Sequence, residues 1–345
     1  MESAWLKRWK MRMQMKSPIA ENRRGRKLLM KPPEVGLLTS VADSLFQAAT
    51  GMNVTDAHGG DLSRGLEEVP VLFEGLAFHT FQYSPDNVQG PGSTVDPSEV
   101  TLPGCSCLSH SCCIDSCSCL HTHGQTYDST GMLLNLNRTD SGFCSPVFEC
   151  NALCTCSDDC SNRVVQRGLR FRLQVYKTRD RGWGARTLEK ISHGAFVCEY
   201  AGEVISFEEA RRRQLAQRSE ENNYIIAVRE HAGTGSVTET FVDPAQVGNV
   251  GRFLNHSCMP NLVMVPVRVH SVIPRLALFA GRDIEAQEEL TFDYSGGYSN
   301  QRPAELLPMQ SDAQARRTDG LQKKVCRCGS NNCTQFLPLD LSILS

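Results

Sequence analysis

The sequence predicts a mainly β fold with short helices, part of it held by metal rather than by an apolar core. Two observations carry that expectation. Short runs of β-branched, aromatic and aliphatic residues, bounded by Gly-containing turns, recur between residues 173 and 292. Sixteen cysteines are unevenly spread: eleven lie between Cys105 and Cys160, three more are Cys326, Cys328 and Cys333, and only Cys198 and Cys258 stand between. At 345 residues there is room for two modest domains or one elaborated one. A formal charge of −2 excludes a chain-wide basic surface for wrapping nucleic acid. No run approaches ~18 uninterrupted apolar residues, which excludes a transmembrane helix.

In chain order, residues 1–31 hold ten Lys/Arg against Glu2 and Glu21, and residues 32–104 reverse the sign, with Arg64 the only base against ten acids. The run Arg23-Arg24-Gly25-Arg26-Lys27 fits a nuclear localisation signal or a nucleic-acid contact, but a solvated disordered arm is the commoner reading of such a run. No periodic apolar pattern persists there, so residues 1–77 read as a disordered arm. The N-terminus has no apolar stretch suited to secretion. A reducing compartment is therefore expected, which favours metal thiolates over disulfides.

Residues 78–166 carry the first cysteine block, Cys105, Cys107, Cys112, Cys117, Cys119, Cys150, Cys154, Cys156 and Cys160, with Cys113 and Cys144 left over. Cys113 beside Cys112 leaves the register open. Alternate cysteines in a C-x-C pair can grip one metal or bridge two, but cannot easily pair with each other. Three tetrahedral zincs need about twelve ligand positions. Nine thiolates supply them if three bridge two metals each, since six terminal plus twice three bridging makes twelve. The resulting charge of −3 could be offset by backbone amides and by Arg163 or Arg167.

Residues 167–296 hold the strand-like segments Leu173–Tyr176, Phe196–Tyr200, Tyr224–Val228, Leu276–Phe279 and Leu290–Phe292. Between them Ser206-Phe207-Glu208-Glu209 matches a capping box opening a helix to about Ser219. Residues 297–321 read as a flexible connection. Residues 322–345 bring Cys326, Cys328 and Cys333, three ligands that want a fourth. Cys258 is the obvious candidate, with histidine or water the alternative. Three further stretches carry chemistry: Arg181-Gly182-Trp183-Gly184, the loop Arg252-Phe253-Leu254-Asn255-His256-Ser257-Cys258, and Glu289-Leu290-Thr291-Phe292-Asp293-Tyr294. If the last is extended, Phe292 and Tyr294 share a face.

Together and in this order these motifs resemble the SET-domain protein lysine methyltransferases, over roughly residues 78–340. The nine-cysteine block is similar to their pre-SET domain and Cys326–Cys333 to their post-SET motif. Phe81-Gln82-Tyr83, Pro146-Val147-Phe148-Glu149-Cys150-Asn151, Asn223-Tyr224-Ile225-Ile226-Ala227 and Phe336-Leu337-Pro338 resemble the branch fused to a mariner transposase. No transposase follows within these residues, so its DNA-end binding and nuclease functions are not carried over. The resemblance implies the SET pseudoknot fold of small curved sheets, with the Asn255–His256 loop threaded by the segment ending at Tyr294. It implies S-adenosylmethionine held by Arg181, Gly182, Trp183, Tyr224, Arg252, Phe253, Asn255 and His256. It also implies Tyr294, Tyr224 and Phe292 at the reacting lysine, Cys258 as fourth ligand of the tail zinc, and Cys112 rather than Cys113 in the first cluster.

The expected activity is transfer of methyl groups to a lysine of histone H3, up to dimethyl, on the H3 tail or the nucleosome, in nuclear chromatin and not at a membrane. Lysines at positions nine, thirty-six and four of H3 all stay open. A chromatin-binding module that had lost catalysis would be expected to have lost Tyr294, Asn255, His256 or the Gly182-Trp183 turn, and all are present. A metal-buffering protein would need none of them.

Overall fold

The computed structural model describes residues 60–74, 81–108, 110–134, 146–217, 222–231, 237–296, 324–338 and 343, all within the unit Gly59–Ser345. The basic arm, the connection 297–321 and Cys144 lie outside the described residues.

Folded structure begins earlier than the sequence suggests. Asp61 Oδ1 accepts from the backbone N–H groups of Ser63 and Val71, both at 2.9 Å, which closes a turn without any apolar period. Strand β1 (Leu72–Phe73) then pairs in parallel with β5 (Leu173–Lys177). Val71 is wholly buried. The expected disordered arm to residue 77 is corrected on this point: a two-residue strand is too short to show a repeat.

The other short pieces before the catalytic region are β2 (Gln82–Tyr83), β3 (Val88–Gln89), helix α1 (Ser118–His123), β4 (Val147–Phe148) and a 3-10 turn at Val165–Arg167. Within the cysteine block the buried cluster is seven thiols and a single aliphatic residue, Leu120, with Cys119 and Cys154 packed against it. So little carbon cannot supply a hydrophobic driving force, and the thiols must be held by something else.

Antiparallel pairing of β5 with β6 (Trp183–Thr187) sets Lys177 opposite Trp183. After them come β7 (Phe196–Glu199), β8 (Gly202–Ile205) and helix α2 (Phe207–Ala216). Ser206 caps α2 as expected, its side chain accepting from Glu209 N at 3.2 Å. The helix ends three residues sooner than expected, at Ala216.

Strand β9 (Ile226–His231) starts two residues late, leaving Tyr224 outside it, and pairs with the twelve-residue β10 (Val237–Gly248). A 3-10 turn at Val250–Phe253 leads into β11 (Asn255–His256). The hairpin β12 (Leu262–Arg268) and β13 (Arg275–Ala280) precedes β14 (Glu289–Phe292).

Among the described residues there are three sheets, ordered β1-β5-β6-β14-β11, β2-β10-β8-β3 with β9 on β10, and β4-β12-β13-β7. Leu173, Val175, Leu276, Leu278, Ile284 and Leu290 are fully buried in a common core. Strand β14 ends at Phe292, so Tyr294 lies in the following turn rather than on an extended segment. The expectation of one shared strand face is corrected accordingly, although the two rings still meet.

Candidate active site and metal centres

The turn before β6 is built around Gly182, whose φ of 73° is a left-handed conformation costly for other residues. Thr178 closes it. Its Oγ1 donates to Gly182 O at 2.8 Å and accepts from Arg181 N at 3.0 Å. Gly184 is needed for a different reason: a Cβ there would fall 2.7 Å from Thr178 Cγ2 and 3.0 Å from Glu289 Oε1. That close approach lets Asn255 Nδ2 donate both to Trp183 O (3.2 Å) and to Glu289 Oε1 (3.0 Å). Glu289 Oε2 accepts from Arg181 Nη2. All three chemistry-bearing stretches therefore meet at Glu289, to which the sequence reading gave no role.

Strands β11 and β14 pair in parallel, Asn255 opposite Thr291 and His256 opposite Phe292. This is the threaded arrangement that the resemblance implied. Asn261 locks it, accepting from Thr291 N at 2.8 Å through Oδ1 and donating to Glu289 O at 2.8 Å through Nδ2.

Around the crossing lies an aromatic group. Tyr294 Oη donates to Leu254 O at 2.8 Å, and Tyr294 N donates to His256 Nδ1 at 3.2 Å. Its ring lies 4.8 Å from that of Phe292, which in turn sits 5.9 Å from Tyr200. Tyr200 Oη donates to Tyr224 O at 2.6 Å. Tyr294 as a residue is 41% exposed, yet its hydroxyl end points inward to a carbonyl, so the two ends of one side chain differ. Burial, reinforced by Tyr224 and Glu289, pushes the Tyr294 phenol well above its usual 10. Tyr200 is likewise raised, by burial first and then by Tyr294. These are neutral hydroxyls that give and take hydrogen bonds, not phenolates.

Arg252 stacks its guanidinium on Phe81 (4.1 Å), Tyr224 (4.9 Å) and Phe253 (5.5 Å). Its Nε is buried and hydrogen-bonds to nothing. An unsatisfied donor amid aromatic faces is costly unless a ligand brings an acceptor. With the open Gly182 backbone close to Asn255, the residues fit a polar, ring-bearing cofactor.

The thiols gather into groups able to hold metal. Cys105, Cys112, Cys117 and Cys150 form one four-sulfur group, Cys105, Cys119, Cys150 and Cys154 a second, and Cys112, Cys150, Cys156 and Cys160 a third, each within 4.8 Å. Cys107 falls outside these groups, but its thiol is in hydrogen-bond contact with those of Cys117, Cys105 and Cys112. Donors surround the sulfurs: Cys105 N and Asn151 N each reach Cys154 Sγ at 3.2 Å, and Arg163 Nη2 reaches Cys156 Sγ at 3.6 Å. Arg167 instead donates to the carbonyls of Asp158 and Cys160, so it acts on backbone rather than on sulfur. Cys112 is buried in the cluster, whereas Cys113 is exposed and contacts Ser116 Oγ at 3.0 Å.

A fourth group joins Cys258 with Cys326, Cys328 and Cys333, all within 4.8 Å. Tail and loop are tied by Asn332 Nδ2 donating to Cys258 O (3.4 Å), and the tail folds on itself through Cys326 N to Gln335 O (2.7 Å). Burial pushes the Cys328 thiol up, but hydrogen bonds from the Ser330 side chain and nearby backbone outweigh it and bring it down to about 6. That favours the thiolate a metal needs.

The fold and the site define a SET-domain enzyme: residues 182–295 match the SET domain model and residues 64–163 the Pre-SET motif. The chain belongs to the SET-domain histone-lysine N-methyltransferases. It is 50% identical over 299 residues to histone-lysine N-methyltransferase SETMAR of Bos taurus, covering 86% of this chain and 95% of that protein. Against human SETMAR it is 51% identical over 285 residues, 82% of this chain but only 40% of the longer protein. The crystal structure of the human SETMAR methyltransferase domain superposes with a TM-score of 0.69 at 47% identity, covering 81% of this chain and 98% of that one. KRYPTONITE, solved with methylated DNA, an H3(1–15) peptide and S-adenosylhomocysteine, is similar at 27% identity and TM-score 0.59, covering 83% and 55%.

Tyr200, Asn261 and Glu289 are the site residues that sequence reasoning missed. Each contacts the site through a partner at least 24 positions away, so no local pattern marks them.

Proposed function

We propose that this chain is an S-adenosylmethionine-dependent methyltransferase acting on lysine of the histone H3 tail, as free tail or in the nucleosome, and adding up to two methyl groups. The observation that carries the reading is the inward Tyr294 hydroxyl, held beside Phe292 and Tyr200 where the parallel pair β11–β14 crosses next to the Gly182 turn. The cofactor, when bound, supplies an electrophilic methyl group on a sulfonium centre. The backbone at Arg181, Gly182 and Trp183, with Arg252, Phe253, Asn255 and His256, would hold it, and Tyr224 would border both it and the lysine.

The amine must be neutral to attack, and free lysine, with a pKa of about 10.4, is neutral in only about one molecule in a few thousand at pH 7. Burial among Phe292, Tyr200 and Tyr224 disfavours the ammonium by desolvation. Tyr294 orients the amine lone pair, a positioning role rather than that of a base, because its own proton is held so tightly. Phe292 offers no hydroxyl to pin a methylated amine, which leaves room for a second transfer.

The metal reading is three zincs in the first cluster and one in the tail. Cys105, Cys112 and Cys150 are each shared between four-sulfur groups. With Cys107 taking the place of Cys150 beside Cys105, Cys112 and Cys117, six terminal and three bridging thiolates close all twelve positions. Cys258, Cys326, Cys328 and Cys333 close the fourth ion. The organisation follows: a metal-held part to about residue 166, a catalytic part at 167–296, and a tail motif at 322–345. A chromatin-associated, nuclear role accords with this activity, and the basic N-terminal arm is the candidate nucleic-acid contact.

Mass spectrometry of H3 peptides and nucleosomes, incubated with the protein and methyl-labelled cofactor, should show mono- and dimethyl lysine. No label on any H3 lysine would refute the activity. Elemental analysis should give four zincs per chain, and one or two at full occupancy would refute the shared-thiolate cluster.

A further inference from the structure

One imidazole touches both halves of the site. His256 is 5% exposed, and its two ring nitrogens face different groups. Nδ1 lies 3.2 Å from Tyr294 N, whose N–H points at it. Nε2 lies 3.4 Å from Cys258 Sγ. A backbone N–H can only donate, so Nδ1 must carry the lone pair. In a neutral ring the proton then sits on Nε2 and is directed at the Cys258 sulfur.

The carboxylate nearby does not compete. Asp293 Oδ1 is 3.7 Å from Nδ1 and is already occupied by Ser295 N (2.9 Å) and Ser295 Oγ (2.7 Å). The Phe292 carbonyl is a second acceptor within hydrogen-bond reach of the ring, and it also accepts from Ser257 N at 3.2 Å.

We propose that His256 is a positioning residue that couples the tail metal site to Tyr294, its Nε2–H donating to the Cys258 thiolate while its Nδ1 receives the Tyr294 amide. The thiolate fixes the tautomer, and the tautomer makes Nδ1 an acceptor. Tyr294 is then held at both ends, its amide on His256 and its hydroxyl on Leu254 O. Metal capture by the tail therefore reaches beyond the tail itself. It sets the hydrogen-bond polarity of the ring against which Tyr294 is registered.

The inference rests on the four-cysteine zinc reading, and the experiment separates the two. Long-range proton–nitrogen NMR on the full, zinc-loaded chain should show His256 as the Nε2–H tautomer. After exchange to 113Cd, the Hε2 proton should show scalar coupling to the metal across the N–H···S contact. An Nδ1–H tautomer, or no coupling with a four-thiolate cadmium signal present, overturns the coupling and leaves the zinc reading standing. Absence of that cadmium signal takes down both.

Two variants add an independent measure. In His256→Asn the amide oxygen can replace Nδ1 toward Tyr294 but the side chain is too short for the sulfur. Tail zinc affinity should fall ~10-fold in a chelator competition. His256→Phe loses both contacts, and kcat should drop ~10-fold or more with peptide KM little changed. Unchanged zinc affinity in the first variant, or unchanged kcat in the second, overturns the proposal.

Discussion

At the scale of single residues, the Tyr294 hydroxyl is one oxygen whose removal changes little volume. In Tyr294→Phe the ring still packs at Phe292, but its hydrogen bond to Leu254 O is gone. Single-turnover transfer should fall ~100-fold or more, in the range for a lost proton-transfer or positioning group. Cofactor affinity by calorimetry should barely move, and an equal loss there would make Tyr294 structural. Phe292 sets a second test. It is buried between Tyr200 and Tyr294, so a hydroxyl added in Phe292→Tyr would enter the amine site and fill space a methylated amine needs. Peptide taken to completion should give mostly dimethyl product with the unaltered protein and shift toward monomethyl with the variant. Cysteines and the Gly182 turn were legible in the sequence because spacing or backbone geometry marks them locally. Glu289 was not: a carboxylate ahead of an apolar run reads as solvent-facing, and only the distant Asn255 and Arg181 give it a task.

At the scale of elements, the tail motif owes its attachment to one distant thiol. In Cys258→Ala the group with Cys326, Cys328 and Cys333 loses its fourth ligand. The chain should retain three zincs, not four, and the tail should become cleavable by trypsin at Lys324 and Arg327. Methyl transfer should fall sharply, and full activity after confirmed loss of that zinc would show that the tail motif has no part in transfer. Element prediction succeeded where apolar runs are continuous, as in β7 with its four buried residues and β13 with five of six. It also succeeded at α2, because Ser206 and Glu209 form a local cap. It passed over β10, where Val237, Thr238 and Glu239 are exposed and burial runs continuously only from Thr240 to Pro244. Such a strand exists because β8 and β9 flank it, which is tertiary information.

At the scale of the whole molecule, a partly buried charge network ties the segment just before β3 to strands β7 and β13. Arg275 Nη1 donates to Asp86 Oδ1 at 3.0 Å and to Glu199 Oε2 at 3.3 Å, while Glu199 Oε1 is buried without a partner. Burial pushes the Glu199 carboxyl up to about 8, despite Arg275 pulling it down, with Asp86 and Glu67 adding to the rise. The folded state therefore holds this proton above the ordinary value of 4.5, where the unfolded chain has released it. Its stabilising effect is complete below that value and is lost as pH rises toward about 8. Denaturant midpoints measured from pH 5 to pH 8.5 should show a decline that is absent in Glu199→Gln. Parallel curves for the two proteins would mean the carboxyl is ionised throughout.

The parallel pair β11–β14 also dictates a history for the chain. Asn255 and Thr291 become neighbours only after the intervening hairpin β12–β13 has turned the backbone round. A hairpin closes a short loop and forms on its own, whereas threading a later strand beside an earlier loop must wait for that loop to exist. Refolding should therefore run in order, with amide protection in Leu262–Arg268 and Arg275–Ala280 preceding protection in Glu289–Phe292, as pulse-labelled hydrogen exchange would record. Misordered arrival leaves a strand outside a closed loop, a trap escaped only by reopening it. The crossing that sets Tyr294 beside Phe292 is thus also the step at which a newly made chain can go astray.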